Sequence, residues 1–345
     1  MGSKTYNSTK IEITKWKGHK AIAFSAGGYE ALLIPEVGAN VIMLKDNNRG
    51  LNILRTPGEE VTFEEFKERP QIYGIPILFP PNRIEDGRFK VKNKQYEFPI
   101  NEPEKNNHIH GFLRNVNWDI DELEVIDSNR VHVKVKFQND ESSGFYKYFP
   151  NRFSTFLTYE LSCKGLQQKL EIFNLGYEDL PVGVGFHTAI NIPFYLESKP
   201  KDYFLKASIG EKWELNKRSL PTGKRILLNK EEKKIRKEGL NPLKEEMDGH
   251  YTVESLNIED KNFKGFIIED RNSKTKVIYE IGEKYKHMMI WNSNGDKNFV
   301  CTEPQSWVIN APNVRLNNNI TGFNLLKFGE KWSEICTIYS EDLDK

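Results

Sequence analysis

Three short stretches set an ionisable side chain among glycines, prolines and apolar residues: HIHGF around His110, PVGVGFHTAINIP around His187 and FVCTEPQSW around Glu303. Imidazole and carboxylate are the groups proton transfer calls for, the first because it titrates near neutral pH, the second when its surroundings raise its pKa. His187 stands between two apolar runs, so its ring is expected to be at least half buried. The plain reading of such a residue is a core histidine bonded to backbone. Glu303 ends an apolar strand between Cys301 and Pro304, where an unpaired carboxylate is costly; it is expected to be paired, with Arg83 in ILFPPNRIEDG as a candidate partner, or to have a raised pKa. Asp248, in EEMDGHY, reads first as a turn aspartate.

Other chemistries find less support. His108 and His110 are two of only seven histidines, and on a strand residues i and i+2 share a face. That pair suits a metal, an acid–base site or a polar surface. Glu303 or Asp248 could complete a metal site, but there is no CxxC, HExxH or second closely spaced His pair, so no metal is expected. There is no GxSxG for a serine nucleophile, and GVGF (183–186) lacks the length and helix of a phosphate loop.

Composition narrows the partners. Fifty Lys and Arg against 49 Asp and Glu leave a net charge of +1, without the basic excess of a nucleic-acid surface. No apolar run approaches the ~20 residues of a membrane helix. MGSKTYNSTK is polar, without the core of a secretory signal, and three scattered cysteines, Cys163, Cys301 and Cys336, suggest reduced thiols. A cytoplasmic protein with no nucleic-acid or membrane partner is expected.

The elements that must hold these residues read as strands. In RVHVKVKF (130–137), Val131, Val133, Val135 and Phe137 alternate with polar residues, the signature of a sheet with one wet face. LEIFNL (170–175), KGFIIE (264–269) and KVIYEI (276–281) follow less cleanly, and RIEDGRFKVKNKQYEF (83–98) reads as successive hairpins with Asp86-Gly87 as the first turn. Thr62 with Glu65 forms a capping box for a short helix, and NKEEKKIRKEG (229–239) reads as a solvated surface helix. Without long helices for βαβ units, or any linker or repeat, the pattern predicts one all-β domain over 1–345, a large antiparallel β-sandwich.

In combination, the stretches resemble one family, the aldose 1-epimerases or galactose mutarotases. YGIPILFPPNRIEDGRF (73–89), NNHIHG (106–111), PVGVGFHTAINIP (181–193), LPTGKRI (220–226) followed by Asp248 and Tyr251, and FVCTEPQSW (299–307) match its segments in order, from about residue 20 to the C-terminus. Phe112, where better-known members have a second glycine, and the lysine-rich 227–247 stretch depart from the pattern.

The resemblance implies a galactose mutarotase-like supersandwich that interconverts the α and β anomers of an aldose. One base and one acid open and reclose the sugar ring; no cofactor is needed. Glu303 is implied as the base and His187 as the acid, with Asn82, Arg83, His110 and Asp248 binding the sugar; separately from the resemblance, Trp307 and Phe79 are candidates to lie against its apolar face. A base of this kind needs a raised pKa, and His187 is expected to be protonated near neutral pH beside an ionised Glu303. The partner is a small-molecule sugar, and the protein a monomer or homodimer. Two alternatives stand beside this reading: a hexose-6-phosphate 1-epimerase, which needs further cations, and a non-catalytic carbohydrate-binding protein, which need not keep Glu303 and His187.

Overall fold

The computed structural model describes residues 8–343. The strands form an antiparallel sandwich of three large sheets. Lys10–Trp16, His19–Ala26, Tyr29–Ile34, Asn40–Asp46 and Leu51–Asn52 run in sequence order in the first. A second, eight-stranded sheet runs from Asp119–Asp127 through Arg130–Asn139, Phe153–Ser162, Gly165–Asn174, Lys331–Asp342, Thr275–Ile281 and Gly265–Asp270 to Tyr203–Ala207. The third, also of eight strands, carries Asp248–Val253, His287–Trp291 and Phe299–Gln305 side by side, with Gly185–Phe186 and Thr188–Asn191 on the far side of Phe299–Gln305. One continuous apolar core joins all three.

The alternating segment behaves as expected: Val131, Val133 and Val135 are fully buried while Lys136 is exposed. Phe137 is half-buried, stacked on Phe145 at 5.6 Å. Gly265–Asp270 departs from the one-wet-face expectation, being buried at all six positions. A strand covered on both faces needs no alternation, so its period carries no signal.

Two local expectations change. Asp86 and Gly87 do form a turn, both left-handed, and Arg88–Val91 pairs with Lys94–Glu97. Arg83–Glu85, however, pairs with Asn107–Ile109, so the first hairpin is absent and Arg83 is delivered beside His110 instead. The helix Lys230–Lys237 has its Asn229–Glu232 capping box but is not solvated all round. Ile235 is buried, and Glu232 accepts from Lys212 Nζ at 2.7 Å and Tyr251 Oη at 3.1 Å, docking one face. The Thr62–Glu65 box on Phe63–Glu68 forms as read.

Candidate active site

Register brings the two central residues together. Gly185 pairs with Gln305 and Thr188 with Thr302, so His187 falls directly opposite Glu303. The His187 N–H donates to Pro76 O at 3.0 Å, and Nε2 stands 3.1 Å from Glu303 Oε1. On the other side, Glu303 is paired with Met289, and Trp291, two residues on, with Asp248. Alternate residues of a strand share a face, so Asp248, Met289, Trp291, Glu303 and His187 all face one way across four adjacent strands.

They face a cavity of about 380 Å³ lined also by Arg69, Gln71, Asn82, Arg83, Glu102 and His110. Larger hollows exist, one of about 620 Å³ around Lys20, Glu36 and Asn117, but this is the one lined by both His187 and Glu303. All six residues assigned from sequence, Asn82, Arg83, His110, His187, Asp248 and Glu303, therefore meet in one place.

The loops that deliver Asn82 and His110 bend through the left-handed region, with φ 54° and 66°, and the His110 N–H donates to Asn82 O at 2.9 Å. Strained backbone of this kind costs roughly 1–3 kcal/mol per residue and persists where the surroundings enforce it. Gly111 permits the bend: a Cβ there would lie 2.0 Å from Phe79 O. The same bend overturns the same-face expectation for His108 and His110, because the strand ends at Ile109. His108 turns away into the aromatic core between Phe98 and Phe112, its Nδ1 bonded to Pro99 O at 2.7 Å. His110 turns into the cavity, edge-on to the His187 ring at 5.1 Å. Among the described residues no group of three or more His, Cys, Asp or Glu is placed to hold a metal.

Arg83 is not the partner of Glu303. Its Nε and Nη2 each reach Glu102 at 2.8 Å, and Asn107 Nδ2 adds a third bond to that carboxylate at 2.9 Å. Sequence reasoning missed Glu102, whose flanking NEPEKNN gives only a weak sign of a clamp. Trp307 and Phe79 are also reassigned, since both are core residues: Trp307 packs with Trp213, Val308 and Ala311, and Phe79 with Phe149 and Phe153. The aromatic wall of the cavity is the half-buried Trp291, 5.7 Å from the His187 ring.

Burial governs the titration of the pair. Glu303 is pushed up to about 8, by burial first and then by the Asp248 charge, against one bond from Gln305 Nε2 at 3.2 Å. His187 is pushed down to about 3 by burial and the Arg114 charge. The raised carboxyl is as expected; the protonated histidine is not. A cation is costly to bury, and the uncharged arrangement, carboxyl beside neutral imidazole, is favoured at neutral pH.

The aldose 1-epimerase family model matches residues 20–339. A galactose mutarotase-like protein from Clostridium acetobutylicum is 43% identical, superposes with a TM-score of 0.95, and is matched over 97% of this chain and 99% of that one. A galactose 1-epimerase from Lactobacillus acidophilus, 15% identical with a TM-score of 0.70 over 97% and 99% of the two chains, shares the fold. The Escherichia coli protein YihR is 28% identical over 170 residues, so the match spans about half the length of that curated relative. The chain belongs to the aldose 1-epimerase family.

Proposed function

We propose that the protein interconverts the α and β anomers of a neutral aldose, with Glu303 and His187 as the proton-transfer pair. The observation that carries this is the 3.1 Å approach of His187 Nε2 to Glu303 Oε1, both buried, in a cavity of about 380 Å³. Between its two titrations the pair holds a single proton. Moving that proton from Glu303 to His187 gives the carboxylate–imidazolium form without exchange with solvent. Polar sugar hydroxyls and the nearby Arg83 guanidinium favour the charged form once water is displaced.

Glu303 then takes the proton of the C1 hydroxyl as His187 gives its proton to the ring oxygen, and the C1–O bond of the ring breaks. The open-chain aldehyde rotates about C1–C2. The reverse transfers close the ring on the other face and restore both residues. No redox change occurs, and every proton is accounted for within the pair and the sugar.

Binding falls to the rim. Because Glu102 occupies the Nε edge of Arg83, only its outer N–H groups remain for sugar hydroxyls, and Glu102 fixes where they point. Asp248, exposed at the mouth, accepts from hydroxyls, and Trp291 offers a face to the C–H side of the ring. Arg69 and Arg83 are set against Glu102, Glu104 and Asp248 around the same space, and the Glu303–His187 pair carries no net charge, so a neutral aldose suits the cavity better than a phosphorylated one. A binding-only role would not account for a buried acid and base in contact. The deciding experiment is polarimetry of freshly dissolved α-glucose, α-galactose and other aldoses with and without protein. Decay of optical rotation no faster than in buffer, for every neutral aldose tried, would reject the proposal.

A further inference from the structure

Arg114 is an expensive residue outside the proposed proton-transfer pair. It lies in the 3-10 turn Leu113–Asn115, is 9% exposed, and makes no ion pair with a carboxylate among the described residues. Its Nη1 donates to Gln71 Oε1 at 2.8 Å, and its Nε–H has no acceptor. A guanidinium taken out of water without an anion carries a large desolvation cost. Burial draws its pKa down to about 10, which still leaves it charged at neutral pH.

Its surroundings say what the cost supports. Gln71 lines the sugar cavity and belongs to the turn Pro70–Ile72, which packs both on the 113–115 turn and on the Thr188–Asn191 strand that follows His187. The next residues carry the His187 backbone: Gly74 O accepts from the Ala189 N–H at 2.9 Å, and Pro76 O from the His187 N–H at 3.0 Å. Arg114 is itself fixed, since Gly38 packs so close that a Cβ there would lie 2.6 Å from Arg114 Cα.

We infer that Arg114 is a positioning residue for the proton-transfer pair: it ties the Gln71 turn, and through it the His187 backbone, to the sandwich, and places a fixed positive charge behind His110 and His187. This rests on the reading of His187 and Glu303 as the reacting pair. A cation disfavours a proton on a neighbouring imidazole, and after burial Arg114 is the foremost influence holding His187 neutral; it acts in the same direction on His110 and His108. The other groups facing His187 are the Glu303 carboxyl at 3.1 Å, the His110 ring at 5.1 Å, the Trp291 ring at 5.7 Å and the Gln71 backbone, which works against Arg114 by favouring the protonated ring. Asp248 acts on Glu303, and Arg83 on both Glu303 and His110. Arg114 thus keeps the shared proton on Glu303 until a sugar arrives.

Two substitutions separate charge from packing. Arg114→Met keeps the apolar stem and removes the charge; Arg114→Lys keeps the charge and loses the bond to Gln71. In Arg114→Met, imidazole ¹⁵N shifts should show His187 gaining its proton roughly one pH unit higher than in the parent, the ordinary size of a nearby-charge effect. The acid limb of kcat/KM should move up equally, with kcat falling more than KM rises. In Arg114→Lys the titration should stay in place while kcat falls. Arg114→Gln, polar and uncharged, gives the charge result if the methionine variant does not fold. An unmoved His187 titration and acid limb in folded uncharged variants, with activity tracking only the folded fraction, would overturn the inference. The ¹⁵N titration needs no turnover, so an inactive parent whose His187 still responds to Arg114 would mark failure of the proposed reaction alone.

Discussion

Two buried glutamates line the same cavity and hold their protons in opposite ways. Burial works to raise both. At Glu102 it is outweighed by the two-pronged contact of Arg83, by Asn107 Nδ2 and by Lys105, so the carboxyl is held below its usual range. At Glu303 burial is deeper, the one donor bond among the described residues is from Gln305 Nε2, the facing His187 is neutral, and the Asp248 charge adds repulsion, so the carboxyl rises to about 8. Glu303 also lies deeper than Glu102, so depth and donors act together: fuller burial with one donor raises Glu303, and lesser burial with a paired cation lowers Glu102. Glu102 is a fixed anion that aims Arg83. Glu303 is a carboxyl whose proton can move.

The largest effect should come from Glu303. Glu303→Gln keeps the shape and removes the proposed base, so kcat for the proposed mutarotation should fall ~10²-fold or more, the usual contribution of a positioned acid–base group. Sugar affinity by calorimetry should stay within a few-fold. Near-parental rates in that variant would erase the contrast between the two glutamates.

Glu102→Gln should do the reverse. It leaves Arg83 buried without its carboxylate, and lost charge-assisted bonds of this kind are worth roughly 1.5–3 kcal/mol, about 10- to 100-fold in affinity. We expect KM to rise by about that factor with kcat changed much less, measured well below the melting temperature of the variant. A kcat loss as large as that of Glu303→Gln would place Glu102 in the proton-transfer steps.

The contrast was only partly legible in the sequence. FVCTEPQSW and GFHTAINIP show Glu303 and His187 because an ionisable residue inside an apolar run is conspicuous wherever the fold puts it. Glu102 sits among polar neighbours, and its value comes from a partner 19 positions away across a strand pairing that the Asp86-Gly87 turn concealed. The neutral state of His187 was illegible for a related reason: it depends on complete burial and on Arg114, neither of which is local in sequence. The fold itself was read from strands with one wet face, such as 130–137. Strands covered on both sides, such as Gly265–Asp270, carry no alternation to read, and composition does not separate Trp291, a cavity wall, from Trp307, a core residue.

Asp248→Asn sharpens the comparison more gently. The Asp248 charge raises the pKa of Glu303, so removing it should lower that pKa. The pair then loses its last proton at a lower pH, and the alkaline limb of kcat/KM should move from about 8 towards the acid side by up to ~1 unit, the size of a nearby-charge effect. A limb that moves upward or stays in place would show that Asp248 acts only on the sugar.

Stability gives a further contrast, in which the two glutamates should differ in sign. Glu303 has a folded pKa of about 8, well above the roughly 4.3 of an unfolded glutamate. Between those values the folded protein holds a proton that the unfolded chain has released, so the Glu303 contribution declines as pH rises through that window. Glu102 has a lowered folded pKa, so its contribution is fully present above the unfolded value and is lost as pH falls through the folded one. Calorimetric melting of Glu303→Gln should therefore match the parent near pH 5 and exceed it near pH 8. The gain should reach several degrees, since a shift from roughly 4.3 to about 8 is worth up to roughly 5 kcal/mol and ~1 kcal/mol moves the midpoint of a large domain by about 2 °C. Glu102→Gln should melt below the parent at pH 7, with the gap narrowing below pH 4. Parallel melting curves for the parent and Glu303→Gln between pH 5 and 8 would mean that Glu303 is ionised throughout that range, and the distinction between the two carboxylates would be lost.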